Sequence, residues 1–101
     1  MKQVVVQFNF PGVSLKQYDG VWDDLRAAGQ AHPKGLISHV GAATPDGGLL
    51  VVDVWESEEA FNEFGKTLMP LIAKQDIPMI PPKVLPAHYV LVQQPHIEMV
   101  N

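Results

Sequence analysis

The first half of the chain alternates between runs of β-branched or aromatic side chains and short clusters of turn-forming residues. Residues 3–10 form one such run and end at Pro11 and Gly12, which predicts a strand closed by a turn. Residues 36–43 and 49–55 form two more runs of this kind. The Pro-Asp-Gly-Gly sequence between them is strong turn chemistry, so these two runs predict a β-hairpin.

Two other segments carry apolar residues at spacings of three and four, which predicts amphipathic helices. The first helix begins after Ser14, which with Gln17 matches a capping box, and ends at Gly29. The second begins after Ser57 and contains Pro70, which removes a backbone donor and is expected to kink or restart the helix near residues 68 and 69. The two apolar stripes are Leu15, Tyr18, Val21, Trp22, Leu25 and Ala28, and Phe61, Phe64, Leu68, Leu71 and Ile72.

The last strand is predicted at residues 84–92, after a connector rich in proline. Pro86 lies within this run and cannot donate a hydrogen bond to a neighbouring strand, so the strand is expected at the edge of a sheet. We assign residues 1–93 to a single domain and residues 94–101 to a C-terminal tail.

The predicted order of elements is strand, helix, strand, strand, helix, strand, which is the α+β ferredoxin-like βαββαβ arrangement. It predicts a four-stranded antiparallel sheet in the order 4-1-3-2, with both helices on one face. The other face would expose apolar side chains from all the strands, and an apolar patch of that size marks an interface. A second copy of the chain is the simplest cover, so the sequence predicts a homodimer.

The composition of the chain then excludes several classes of function. The chain has 101 residues, of which 7 are basic and 11 acidic, so its net charge is −4. This balance gives no electrostatic reason to bind nucleic acid or anionic lipid. The absence of cysteine excludes disulfides, thiolate metal sites and cysteine nucleophiles. No apolar stretch has the length of a membrane span or of a signal peptide, so we expect a cytoplasmic protein with neither a membrane nor a nucleic-acid partner.

Three segments of the chain resemble a known superfamily: VVVQFNFPG at residues 4–12, GLISH at 35–39 and VVDVWESEEAF at 51–61. They are similar to the dimeric α/β-barrel superfamily, and within it to small relatives of the antibiotic biosynthesis monooxygenases. The resemblance covers residues 3–92, and WESEEAF is its most specific part. It implies a homodimer whose two sheets pack into a barrel, with a small-molecule pocket in each subunit between sheet and helices.

The activity within this superfamily is left open by the resemblance. Its members include cofactor-independent quinone-forming monooxygenases, haem-degrading enzymes and muconolactone isomerases. The haem-degrading members use an Asn, a Trp and a His together. Asn9 and Trp55 match two of these, but the second helix contains no histidine, which argues against haem. We therefore expect no cofactor, and the site has to be argued from its own residues.

Four polar residues interrupt the predicted strands, one on each strand: Gln7, His39, Asp53 and His88. In the order 4-1-3-2 they are expected to lie side by side across the sheet if the registers agree. A carboxylate beside a histidine holds the imidazole in one tautomer and gives a base for a phenol or an acidic carbon. His39 and Asp53 are therefore the candidate catalytic pair, and Gln7 and His88 are candidates for orienting ligand oxygen.

Aromatic side chains are candidates for the flat walls of a ligand site: Trp55, Trp22, Tyr18 and Tyr89. They suit a small apolar molecule, aromatic or polyketide-like. We expect no metal site, because the sequence has no close-spaced pair of histidines and no HExxH motif.

Three functions are compatible with these residues. The preferred hypothesis is a cofactor-independent monooxygenase acting on an aromatic ligand. A muconolactone-type isomerase would use the same fold for a different proton transfer. A non-enzymatic binding or stress-associated homodimeric module would use its polar strand residues only to hold the assembly together. A cavity of about 300 Å³ or more beside His39 and Asp53 would favour a ligand site, whereas a filled interior would favour the module.

Overall fold

Four strands and two helices follow one another in the predicted order. The computed structural model describes residues 2–93, and the predicted tail at residues 94–101 lies outside the described residues. In chain order the elements are β1 (Val4–Phe10), α1 (Leu15–Ala27), β2 (Leu36–Ala43), β3 (Leu49–Trp55), α2 (Glu58–Lys74) and β4 (Lys83–Pro86).

The strands form one antiparallel sheet in the order β2-β3-β1-β4, which is the order expected from the sequence. Both helices pack on one face of this sheet. Val21 and Leu25 of α1 and Ile72 of α2 join Phe10 and Val51 of the sheet in a buried cluster. Complete burial of a side chain such as Leu25 contributes about 2 kcal/mol. The α+β ferredoxin-like architecture is therefore confirmed.

Helix α1 begins with the predicted capping box. The Ser14 hydroxyl accepts from the Gln17 backbone N–H at 3.1 Å, and the Gln17 side-chain oxygen accepts from the Ser14 N–H at 2.9 Å. Gly29 has a φ of 71°, which stops the helix where the sequence predicts its end.

Helix α2 runs without interruption from Glu58 to Lys74, so the predicted restart near residues 68 and 69 does not occur. Pro70 removes a single hydrogen bond, to the carbonyl of Lys66 one turn earlier. Both residues are exposed, so water can satisfy that carbonyl and the helix continues.

Strand β4 is shorter than predicted, and the boundary at residues 84–92 was wrong. Its last residue, Pro86, pairs with Val4, which is the first residue of β1. Beyond this point β1 offers no further strand, and one hydrogen bond from the Ala87 N–H to the Gln3 carbonyl, at 2.9 Å, ends the contact. The edge position inferred from Pro86 is confirmed, because β4 pairs with β1 alone.

The two faces of the sheet differ in cover. Along β3, Leu49, Val51, Asp53 and Trp55 are buried beneath the helices, whereas the residues between them are only half-buried. The second face carries apolar side chains that the chain itself leaves accessible, including Val40, which is 58% exposed. We call this second surface the open face. No helix within residues 2–93 has both the length and the apolar character needed to cross a bilayer.

Candidate functional site

The register that the hairpin turn sets between β2 and β3 directs His39 toward the helices, because Ala43 pairs with Leu49 and His39 with Asp53 without interruption. The pairing of β2 with β3 contains one extra residue, Ile37. Leu36 therefore pairs with Trp55 and His39 with Asp53, although Leu36 and His39 are an odd number of positions apart. Uninterrupted alternation would place them on opposite faces of the sheet. The bulge therefore keeps Leu36 on the helix-covered face, while the register from the turn places the imidazole there beside the carboxylate.

Four side chains on this face form a continuous chain of hydrogen bonds. The Tyr18 hydroxyl lies 2.6 Å from His39 Nε2, and His39 Nδ1 lies 2.5 Å from Asp53 Oδ1. The Trp55 indole Nε1–H donates to Asp53 Oδ2 at 3.2 Å. We call these four residues the Tyr18–Trp55 network.

The chemistry of the groups sets the direction of each hydrogen bond. Asp53 as a carboxylate can only accept, and the Trp55 indole can only donate. A neutral His39 therefore carries its proton on Nδ1, facing Asp53, which leaves Nε2 as the acceptor for the Tyr18 hydroxyl. The nitrogen that could act as a base is thus already bonded to a phenol. A ligand hydroxyl placed at the Tyr18 oxygen would occupy the same chemical position.

Tyr18 is held in its neutral form. Burial raises the pKa of its phenol above the ordinary value, and the nearby negative charges of Asp53 and Asp19 act in the same direction. A neutral phenol can donate or relay a proton but is not itself a base. The group of the network that can accept a proton is the His39 imidazole, whose side chain is 20% exposed while that of Asp53 is 10% exposed.

Gly41 makes room for the Tyr18 ring. It lies two positions after His39 on β2 and pairs with Val51, so it faces the same helices. A Cβ atom built on Gly41 would stand 2.5 Å from the Tyr18 hydroxyl oxygen, closer than any real contact. The ring that reaches His39 therefore depends on the absence of a side chain here.

An apolar cavity of about 70 Å³ borders the network. Tyr18, His39, Asp53 and Trp55 line it together with Trp22, and apolar core residues, both aliphatic and aromatic, complete the walls. The Trp22 ring meets the His39 imidazole edge-on, with 4.9 Å between ring centroids. This space is smaller than the roughly 300 Å³ of the smallest ligand sites, so in this conformation it holds no molecule larger than a few atoms.

The structure brings together five of the eight residues that the sequence nominated: Tyr18, Trp22, His39, Asp53 and Trp55. The expectation of four polar residues in one row across the sheet was wrong. Gln7 pairs with Val52, so its side chain belongs to the open face, opposite to Asp53. His88 and Tyr89 follow the end of β4 and are exposed, Tyr89 at 80%, so the structure does not bring them to the network.

Sequence reasoning missed two features of the site, namely the bulge at Ile37 and the role of Gly41. A signal for the face of Gln7 was present, because Val4, Val6 and Phe8 alternate with it in β1 and define the buried face. The bulge leaves no such signal, since residues 36–39 have no clear alternation. Within residues 2–93, no group of three or more His, Asp or Glu side chains is placed to hold a metal ion.

Several solved structures share this fold. SnoaB from Streptomyces nogalater, a cofactor-independent oxygenase, is 16% identical and has a TM-score of 0.64 over 92% of this chain and 100% of its own. A monooxygenase from the gene ActVA-Orf6 of Streptomyces coelicolor, in complex with nanaomycin D, is 24% identical, with a TM-score of 0.56 over 91% of this chain and 93% of its own. Rv0793 from Mycobacterium tuberculosis is 15% identical, with a TM-score of 0.57 over 91% and 99%.

At these identities the likeness shows a shared fold, and the resemblance in fold expected from the sequence is confirmed. No protein-family model matches the chain, and no curated protein matches it in sequence.

Proposed function

We propose that the chain is a cofactor-independent monooxygenase that oxidises a small phenol or a similarly acidic aromatic compound. The observation that carries this proposal is the Tyr18–Trp55 network, in which a carboxylate-held imidazole faces an apolar cavity through a phenol. Two proteins of the same fold support it, since one is a cofactor-independent oxygenase and the other a monooxygenase that binds nanaomycin D.

The proposed chemistry needs a base and an apolar space. The substrate phenol gives its O–H proton to His39 Nε2, directly after displacing the Tyr18 hydroxyl or through it. The electron-rich ring carbon of the phenolate then bonds to dioxygen, and the peroxide takes the proton back. Loss of the ring C–H proton breaks the O–O bond, which leaves a quinone and one water. The substrate supplies every electron that dioxygen accepts, so the reaction needs no separate reductant.

Substrate binding requires the cavity to widen from its present 70 Å³ or so. Tyr18 and Trp22 both come from α1 and are partly buried, so their movement is the smallest change that enlarges the space. Their displacement would also free His39 Nε2. Binding of the substrate would then also release the His39 nitrogen that accepts the proton.

We further propose that a second copy of the chain covers the open face. Val40 and Leu85 are 58% and 48% exposed on that face, which also carries the half-buried Val52 and Val54. Association would remove this apolar surface from water. A Val40→Lys variant is expected to sediment as a folded monomer while the parent chain sediments as a dimer. A parent chain that stays monomeric and native at micromolar concentration would contradict this assembly.

Oxygen uptake with a panel of phenols and hydroquinones tests the reaction. His39→Ala is expected to lower uptake with the best substrate by about 10²- to 10⁴-fold, the usual contribution of a general base. His32→Ala is the matched control, because it removes an imidazole that is exposed in the loop before β2. Equal rates in the His39→Ala variant and the parent chain would overturn the assignment of the base.

The small size of the cavity favours one competing function, the non-enzymatic module. That function predicts a ligand that binds without oxygen uptake, or no ligand at all, and a His39→Ala variant that changes stability alone. An isomerase predicts exchange of substrate C–H hydrogen with solvent under nitrogen. Measuring product, oxygen and hydrogen exchange on the same samples separates the three.

A further inference from the structure

A second and larger cavity adjoins the first and shares four lining residues with it, namely Phe8, Phe10, Leu68 and Ile72. Its volume is about 470 Å³, and it is bounded by β1, by α2 and by the proline-rich segment at residues 78–82. This volume falls within the range of about 300 to 1,000 Å³ found for small-molecule sites. None of Tyr18, His39, Asp53 or Trp55 lines it.

The cavity accounts for the presence of a glycine at position 65. It lies within α2, where glycine costs helix stability relative to alanine. Its φ is not positive, and a Cβ built on it would meet no atom within 4 Å. The other glycine inside a helix, Gly20, is different, because its Cβ would stand 2.7 Å from the Gln75 side chain. Neither backbone geometry nor packing within residues 2–93 requires Gly65, but its missing side chain enlarges the cavity.

The floor of the cavity is aromatic. The rings of Phe8 and Phe10 are stacked, with 5.3 Å between centroids, and Phe61 tilts against Phe8 at 6.0 Å. Met69 and Met79 line the same space and are 48% and 54% exposed. Stacked rings suit a flat aromatic body, and methionine side chains adapt to irregular ligands.

One charged side chain lines the cavity among the described residues, namely Lys66, with Asn62 one turn earlier on the same face of α2. Lys66 Nζ lies 3.1 Å from a carboxylate oxygen of Glu63, but both side chains are about three-quarters exposed. A pair this exposed contributes little, so the ammonium group can turn toward an anion in the cavity.

We propose that this cavity binds a flat aromatic molecule that carries a single anionic group. The aromatic body lies on the three phenylalanine rings and fills the space at Gly65, and the anionic group meets Lys66 and the Asn62 amide at the mouth. The proposal does not depend on the function proposed above: the two cavities share apolar walls, but none of the four residues of the Tyr18–Trp55 network lines this one.

The test measures binding of 2-naphthoate and of its neutral analogue 2-naphthamide to the purified protein by ligand-observed NMR. Gly65→Leu is expected to weaken both compounds at least tenfold, because its side chain occupies the cavity. Gly65→Ala is the matched control: it restores helix propensity with one methyl group, and it should change binding less than threefold. Both variants are expected to fold, since leucine and alanine favour helices and the site has open space.

Two further variants separate the parts of the proposal. Lys66→Gln should weaken 2-naphthoate about two- to fivefold, as expected for an exposed ion pair, and leave 2-naphthamide unchanged. His39→Ala should leave both affinities unchanged, whatever its effect on oxygen uptake. If Gly65→Leu and Gly65→Ala bind 2-naphthoate equally well, or if the compound does not bind below millimolar concentration, the cavity is not this site. Equal losses of acid and amide in Lys66→Gln would refute the role of its charge.

Discussion

Polar side chains have different surroundings on the helix-covered face and on the open face of the sheet. On the covered face, Asp53, His39, Tyr18 and Trp55 satisfy one another through hydrogen bonds of 2.5 to 3.2 Å. On the open face, Gln7 lies between Val52 of β3 and Lys83 of β4, on a surface that remains partly accessible in the single chain. A polar group beneath the helices is therefore hydrogen-bonded to its neighbours, while a polar group on the open face keeps access to water in the single chain.

The largest expected difference between the faces is at Asp53. Asp53→Ala should lower the free energy of unfolding by about 3 kcal/mol, because it leaves His39 Nδ1 and Trp55 Nε1 without their acceptor in a buried place. Urea denaturation followed by circular dichroism measures this loss. Asp23→Ala is the control, since Asp23 pairs with Arg26 at the surface and should contribute less than about 0.5 kcal/mol. Similar values for the two variants would show that the network does not stabilise the fold.

Gly41→Ala is expected to have the next largest effect on the covered face. Its methyl group would displace the Tyr18 ring and break the hydrogen bond to His39, at a cost of about 1 to 3 kcal/mol. In the Tyr18→Ala background the same substitution should cost nothing, because no ring remains to be displaced. Gly65→Ala should change the free energy of unfolding in the opposite direction and stabilise α2 by about 0.5 to 1 kcal/mol. If Gly41→Ala lowers the free energy of unfolding equally in the Tyr18→Ala background, the added methyl group does not clash with the Tyr18 ring.

The difference between the faces also explains how far sequence reasoning could reach. Strands β2 and β3 were predicted with their observed bounds because an unambiguous turn joins them and fixes their register. The pairing of His39 with Asp53 followed from that register. The face of this pair did not, since every residue of β3 except Asp53 is apolar and no alternation of polarity marks the side that the helices cover.

The end of β4 is the clearest case of a boundary set by another element. Residues 87–92 are as apolar as a strand, and nothing in their own sequence stops it. The strand stops at Pro86 because β1 begins at Val4 and offers no partner beyond it. The local sequence pattern predicts that a segment favours a strand, but the neighbouring strand decides how many of its residues pair.

Tyr18→Phe should have a moderate effect, about 1 kcal/mol at neutral pH, because one hydrogen bond is lost while the ring stays in place. Its pH dependence is more informative. Burial raises the pKa of Tyr18 in the folded chain, so the folded state holds this proton more tightly than the unfolded state does. The corresponding stability is complete below about pH 10 and is lost as the pH rises above it. Unfolding curves of the variant should lack that alkaline decrease, whereas those of Tyr89→Phe, which removes an exposed hydroxyl, should keep it.

Gln7→Ala is expected to have the smallest effect and addresses the open face directly. Its amide is half-buried in the single chain and is not part of the Tyr18–Trp55 network, so the loss for an isolated subunit should stay within about 0.5 kcal/mol. If a second copy covers this face, the melting temperature of the parent chain rises with protein concentration, and any effect of Gln7→Ala grows in the same range. Thermal unfolding at two concentrations tests this, with Val40→Lys as the monomeric reference. A loss as large as that of Asp53→Ala at the lower concentration would mean that Gln7 is tied within its own subunit, and the difference between the faces would disappear.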